Sequence, residues 1–463
     1  MSALHLNFEN KSTHAQEYIS VGFVSGKKDG KPIPISVVNR KTGKALKVVD
    51  DGWSHKGYAG NWYSLSDLTE GVDIKHFSGR IYVCYGKPWS VEQVGYEPAQ
   101  AVTDKNFFLR YDKVELTFNG APTDVANLTS IDYLSIPMSL QTSLSETIVE
   151  TAHGLKGDRT FSGVVGALSS LTEPPVSGVV GPGGVDGMAL PALVPGKFKQ
   201  YPSGKEPETG FARVIGPSSY PPIDLNDTAK TAIPVMPYDI FKEYLEYLRD
   251  SFGPDTEPGE KIIGLGGGVI AHISGEFGGV GPNVPATGPQ SRQSYDYEAK
   301  IDDDLNITLI EKEVKAGDTK HSMLFKFDDL INPAGIYGGN ASFYFDGSHT
   351  SINPQNNVYG WICGDLFSGI NIGAVGSETI KDDVMVGAMP SSEWFSLEEG
   401  EFFSALQPEQ KNYNQWAATL APCSDAYNFA YTDRFAHVFV SLDPAKIDTA
   451  TVILLKDDSE KIK

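Results

Sequence analysis

Lys113-Val114-Glu115-Leu116-Thr117-Phe118-Asn119 is the stretch on which the fold turns. Side chains of an extended strand alternate between faces, so Val114, Leu116 and Phe118 form an apolar row, and Glu115, Thr117 and Asn119 a polar one. The apolar row requires a core beneath it; the polar row is left to solvent or to a ligand. A loop opening on Asn119-Gly120-Ala121-Pro122 leads to a second strand-like run, Asn127-Leu128-Thr129-Ser130-Ile131-Asp132-Tyr133-Leu134-Ser135-Ile136-Pro137, in which Asp132 takes the wetter face. If the two runs pair antiparallel, with strands about 4.8 Å apart, Glu115 and Asp132 lie diagonally on a shared face, about 6 to 10 Å from each other. Because the chain carries 59 Asp and Glu residues, that spacing alone fits two solvated surface carboxylates equally well.

The composition around this stretch is that of a β-rich protein. Among 463 residues there are 48 Gly, 29 Pro, 21 Tyr and 23 Phe, the chemistry of many short strands joined by tight turns. That length exceeds the usual span of one core, so two structural units are expected. A net charge of −21, with no Lys/Arg stripe, repels polyanions and argues against nucleic acid as a partner. No run of 18 apolar residues occurs, so no membrane-spanning helix is expected. The three cysteines, Cys84, Cys363 and Cys423, match no tetrahedral metal spacing; buried thiols are expected, with one disulfide as the alternative. The nine histidines lack His-x-x-x-His or Glu-x-x-His spacing, and there is no Gly-x-Ser-x-Gly. Neither a metal, another cofactor nor a serine nucleophile is expected.

Outward from the opening stretch, residues 1–150 read as the first part of a barrel or sandwich, with strands at 18–24, 33–39, 80–85, 106–118 and 131–140 and a hairpin at Gly26-Lys27-Lys28-Asp29-Gly30-Lys31-Pro32. Residues 151–295 read as an inserted mixed α/β domain. Gly, Pro and Ser recur between 154 and 237, and a helix follows, with Ile240, Phe241, Tyr244, Leu245, Leu248 and Phe252 on one face. Gly264-Leu265-Gly266-Gly267-Gly268-Val269 fails as a dinucleotide loop because Val269 stands where the third glycine belongs. Residues 296–463 read as a return to the barrel, with strands at 307–312, 323–327, 341–345, 358–363, 435–442 and 451–455. The expected architecture is mainly β, with a groove between barrel and insertion.

The pattern Val114-Glu115-Leu116-Thr117-x-Asn119, followed by Asn127-x-Thr129-x-x-Asp132 with the acids seventeen residues apart, resembles the paired catalytic segments of the glycoside hydrolase family 64 β-1,3-glucanases. A second stretch, containing Tyr413-Asn414-Gln415-Trp416-Ala417 and Asp425-Ala426-Tyr427-Asn428-Phe429-Ala430-Tyr431-Thr432-Asp433, resembles that family's C-terminal segment. The resemblance implies a thaumatin-like β-barrel and an enzyme that cleaves β-1,3-glucan with inversion, using Glu115 as general acid and Asp132 as general base. Inversion needs a protonated carboxyl, an ionised carboxylate and room for water between them. The resemblance also carries sugar-binding roles onto Thr117, Asn119 and Thr129, whose short hydroxyl and amide groups suit sugar hydroxyls; Asn119, before Gly120, equally suits a turn.

Stacking on pyranose rings calls for exposed aromatics. Trp416 and Tyr427 are the expected groove-wall residues, Trp53, Trp62, Trp89 and Tyr413 are further candidates, and core packing is the competing explanation for each. A neutral polysaccharide partner and a monomer are expected. Export is implied by the resemblance, although Met1-Ser2-Ala3-Leu4-His5-Leu6-Asn7-Phe8-Glu9-Asn10 is not leader-like; retention in the cytoplasm is the alternative. The rival function is a non-catalytic glucan-binding or wall-associated protein on the same scaffold.

Overall fold

The computed structural model describes residues 3–28, 31–33, 35–46, 62–86, 88–89, 97–98, 100, 104, 106–107, 109–171, 193–194, 211–219, 240–276, 294–312, 314, 320–350 and 359–462. Trp53, the 178–184 glycine run and the 353–357 segment lie outside them. The chain divides into two compact units, one of residues 1–216, 419–428 and 437–463, the other of residues 217–418 and 429–436.

The first unit is built on an eleven-stranded, nearly closed barrel-like sheet. Its main path uses β1 (Leu4–Asn10), β3 (Val72–Tyr85), β4 (Arg110–Phe118), β5 (Val125–Leu128), β6 (Met138–Leu144), β7 (Thr147–Ala152), β8 (Phe439–Ser441) and β9 (Thr449–Leu454), in the order β7-β6-β9-β1-β3-β4-β5-β8. β2 (Ile19–Ser25) and Ser36–Asn39 add to β3, and Trp62–Ser64 adds to β2. The N-terminal β1 lies parallel to the C-terminal β9, so the two ends of the chain are tied into one core. At the seam, the Glu150 carboxylate on edge strand β7 accepts the Ser441 amide of the opposite edge strand β8 at 2.6 Å.

Alternation explains how this sheet buries one face. Leu6, Val72, Ile74, Ile81, Val83, Val114, Leu116, Phe118, Ala126 and Val452 meet in a single buried apolar cluster. The expected alternation of 113–119 is therefore observed, with Val114, Leu116 and Phe118 all pointing inward. A further buried pair closes the interior: the Arg110 guanidinium, fully buried, contacts Asp457 at 2.8 Å and donates to the Ser459 hydroxyl at 2.7 Å and to the Ser135 carbonyl.

In the second unit, a six-stranded antiparallel sheet runs from Val269–Glu276 through Ser294–Ile301, Ile307–Glu311, Ser322–Phe325 and Phe343–Phe345 to Ser348–Thr350. The strands at 307, 323 and 343, read from sequence as a return to the barrel, belong to this separate sheet; β patterning specifies a strand but not its neighbours. The expected helix is Ile240–Phe252; Phe241, Tyr244, Leu245, Leu248 and Phe252 are buried. Cys84, Cys363 and Cys423 are buried thiols that are not disulfide-bonded, so the alternative bridge does not form. Among the described residues, no helix is long and apolar enough to cross a membrane.

Ile81 has no exposed surface within the barrel cluster. Ile81→Ala should cost about 2 to 5 kcal/mol, seen as a lower denaturant midpoint at an unchanged slope; a loss below about 1 kcal/mol would show that the barrel interior collapses around the gap.

Candidate active site

The outward face of β3, β4 and β5 carries the functional side chains because these strands are in register. Arg80 stands opposite Glu115, Ser78 opposite Thr117, and Tyr82 opposite Lys113; on the other side of β4, Asn127 stands opposite Glu115. One end of this face is a second buried cluster of Val24, Tyr82, Cys84, Trp89, Leu109, Tyr111 and Tyr133. Beyond it the face becomes polar. A concavity of about 350 Å³ opens there, lined by Ser25, Gly79, Arg80, Glu115, Thr117 and Asn127 among others.

Asp132 reaches the site by a route different from the one expected. β4 pairs with Val125–Leu128, and the chain then leaves that ladder, so Asp132 sits in a connecting segment and not on a strand beside Glu115. Ser130 N–H donates to the Tyr427 carbonyl at 2.7 Å, and Tyr427 N–H donates to the Leu128 carbonyl at 3.0 Å. On the far side, Tyr133 and Leu134 pair with Arg213–Ile215, and Gly216 N–H donates to the Asp132 carbonyl at 2.7 Å. Glycine is required at 216, since a Cβ there would lie 2.4 Å from the Ile131 carbonyl oxygen. The buried Asp112 carboxylate accepts amide protons from Ser135 at 3.0 Å and Ile136 at 2.9 Å. Burial pushes Asp112 up, to about 7, against the pull of these amide donors.

Five charged side chains then alternate in sign. Glu115 accepts Arg80 Nε–H at 3.1 Å; Arg80 Nη1 donates to Glu97 at 2.8 Å; Lys113 Nζ donates to Glu97 at 3.2 Å and to Asp132 at 2.8 Å. The Glu115 and Asp132 side chains are 38 % and 40 % exposed, whereas Lys113 is 2 % exposed. Both candidate carboxylates therefore meet solvent at the two ends of the array, as does Arg80 beside Glu115, whereas Lys113 and most of Glu97 are covered. Glu97 also accepts the Tyr82 and Tyr133 hydroxyls at 2.8 and 2.7 Å. Burial works to raise the Glu97 carboxyl, but Lys113, Arg80 and the Tyr133 donor outweigh it and hold the carboxyl below its usual range. Lys113 is held above its ordinary value because Glu97 and Asp132 overcome the cost of burial. Burial and the Glu97 charge push both phenols well up, so they remain donors.

The remaining expected site residues separate. Thr117 is half-buried, lines the concavity and shares a 3.0 Å hydrogen bond with the Ser78 hydroxyl. Asn119 is exposed at a turn: its N–H donates to Asp124 at 2.6 Å, and Gly120 follows at φ +82°. Thr129 is buried and bridges to Tyr427 through the backbone. Tyr427, half-buried, thus enters this region through its main chain. Trp416, expected on a groove wall, is only 1 % exposed. Its indole offers no ring face to solvent. Trp89 is likewise buried, against Tyr82, Tyr111 and Trp62.

Sequence reasoning did not single out Arg80, Lys113 or Glu97. Lys113 carried a usable signal: it shares the alternation of Glu115 but sits next to an apolar row, and a lysine buried at such a position needs counter-charges. Glu97, in an irregular Tyr-Glu-Pro context, had no periodicity to mark it.

Comparison with known proteins finds a sequence likeness over part of the chain and a likeness of fold over nearly all of it. Residues 2–206 match the glycoside hydrolase family 64 model, described as β-1,3-glucanase. Curated proteins give no match. Among solved structures, the chain is similar to a laminaripentaose-producing β-1,3-glucanase crystallised with laminaritetraose, at 14 % identity and a TM-score of 0.54, covering 98 % of this chain and 99 % of that one. It is also similar to a β-1,3-glucanase domain of family 64 from Clostridium beijerinckii, at 13 % identity and a TM-score of 0.53, covering 98 % of each chain. At such identities the structural likeness is one of fold.

Because its folded-state carboxyl is depressed, Glu97 contributes stability that is present above the unfolded value of about 4.3 and is lost as pH falls through the folded value. Glu97→Gln should therefore lower stability at pH 7 by about 1 to 3 kcal/mol, with a gap to the native protein that narrows below about pH 4. Denaturant titrations at both pH values check this; a gap that widens on acidification contradicts it. Residues 2–206 carry the sequence pattern of the family 64 glycoside hydrolases, the β-1,3-glucanases, and the chain carries the fold of that family's solved structures.

Proposed function

We propose that this protein hydrolyses β-1,3-glucan by single displacement with inversion at the anomeric carbon, with Glu115 as general acid and Asp132 as general base. The observation that carries the reading is the pair of half-exposed carboxylates at the ends of one charged array, with Glu115 opening onto the concavity. Glu115 and Lys113 rise from the same face of β4 two residues apart, about 6.7 Å along the strand, and Asp132 caps the Lys113 ammonium. That arrangement supports a carboxylate separation on the order of 6 to 10 Å, compatible with the roughly 6.5 to 9.5 Å that lets an inverting pair hold a water between them.

In the reaction, the Glu115 carboxyl delivers its proton to the departing glycosidic oxygen. Asp132 takes a proton from the water that attacks the opposite side of the sugar ring. The division of roles follows the family resemblance. Thr117, beside Glu115 on the same strand face, and Asn127, whose amide lies 3.4 Å from the Glu115 carboxylate, are placed to meet sugar hydroxyls. Thr129 and Tyr427 support Asp132 through the chain path that they fix, and Asn119 shapes the turn after β4. The protein needs no charge complementarity with a neutral glucan, which accords with a net charge of −21.

Glu115→Gln and Asp132→Asn, assayed for release of reducing ends from laminarin, should each lower kcat by about 10²- to 10⁴-fold while the barrel stays folded. Native rates in either variant would end the proposal. Binding to insoluble glucan without any release of reducing ends by the native chain would favour a glucan-binding protein on this scaffold.

A further inference from the structure

One carboxylate on the polar face has no part in the proposed reaction. Glu97 is not among the residues lining the concavity, yet it receives four donors: Arg80 Nη1 at 2.8 Å, the Tyr82 hydroxyl at 2.8 Å, Lys113 Nζ at 3.2 Å and the Tyr133 hydroxyl at 2.7 Å. Two of these donors are the same cations that contact Glu115 and Asp132. The array therefore reads Glu115, Arg80, Glu97, Lys113, Asp132, three negative charges and two positive, with Glu97 at its centre.

Catalysis by a carboxyl pair requires one member to be protonated while the other is ionised, and a cation in contact with either favours the ionised form. If Arg80 and Lys113 faced only Glu115 and Asp132, each carboxylate would feel one undivided positive charge. We propose that Glu97 is a positioning residue that sets the charge state of both catalytic carboxylates by dividing the field of Arg80 and Lys113 between itself and them. The inference rests on the reading of Glu115 and Asp132 as the catalytic pair. The titratable groups that face Glu97 are Arg80 and Tyr82 from β3, Lys113 and Tyr111 from β4, and Asp132 and Tyr133 from the segment after β5. The phenols among them are raised by burial, so across the working range of a carboxyl pair only carboxylates change charge. Glu97, held ionised by its two cations and the Tyr133 donor, serves as the fixed negative centre.

The test is the pH dependence of kcat/KM on laminarin for the native chain, Glu97→Gln and Glu97→Asp. Removing the central charge with an isosteric amide should move both the acidic and the alkaline limb to lower pH, by about one unit. Glu97→Asp, which keeps the charge, should leave both limbs within about 0.3 units of native, whatever its kcat. A purely structural role predicts loss of kcat with limbs unmoved, and that result overturns the inference. Should Glu97→Gln fail to fold, carboxyl ¹³C titration of the native chain decides: Glu97 must stay ionised through the active range, and a midpoint inside that range overturns the inference. Full activity in Glu115→Gln and Asp132→Asn would overturn the catalytic reading and this inference together. Inactive Glu115→Gln and Asp132→Asn with unmoved Glu97→Gln limbs would overturn this inference alone.

Discussion

A lysine ammonium buried to 2 % exposure on the working face of a β-sheet is the constraint around which the site is organised. Taking a charge out of water costs several kcal/mol unless partners with good geometry compensate. Lys113 finds them in Glu97 and Asp132 and in the Tyr133 ring, 5.1 Å from the ammonium. The requirement runs both ways. With the ammonium fixed by a core strand, Glu97 and Asp132 are drawn to it from two irregular segments that the sheet alone would not locate, and a charged group without its partner would be an uncompensated burial. The site thereby inherits the rigidity of β4.

That rigidity comes from the two faces of one strand. Val114, Leu116 and Phe118 are locked into the barrel interior, so Lys113, Glu115 and Thr117 have no choice of direction; a one-residue slip would bury the charges and expose the core. Tyr82, Trp89, Tyr111 and Tyr133 cover one end of the outer face, the end at which the Lys113 ammonium is shielded from water. Low local polarity strengthens each ion contact there and makes each missing one costlier. The ends of the array, Glu115 and Asp132, remain wet enough to exchange protons.

How much of this was legible in the sequence depends on the physical origin of each feature. The alternation of 113–119 specified a half-buried strand because period two admits no other assignment for Val114, Leu116 and Phe118. The helix of Ile240–Phe252 was readable for the same kind of reason. The partner of β4 was not readable: residues 131–136 have strand-like composition, but backbone bonds of Leu128 and Ser130 to Tyr427 and of Asp132 to Gly216 take the chain off the ladder, and those contacts lie far away in the chain. The strands after Ile307 were recognisable as strands, yet the sheet they join depends on tertiary pairing. Trp416 shows the limit of residue type as evidence, since an indole serves a sugar or a core equally well and here it is buried. Glu97 was invisible because its importance lies entirely in what surrounds it.

The central claim is that a carboxyl pair held apart by the array of Arg80, Glu97 and Lys113, and not in contact, directs water to the far side of the sugar ring. The most direct measurement is ¹H NMR of the first product formed from laminarin, read before mutarotation. The α-anomer at the new reducing end is the result expected of two carboxylates spaced for an intervening water. Initial formation of the β-anomer would require a covalent intermediate on a closely spaced pair and would contradict the account.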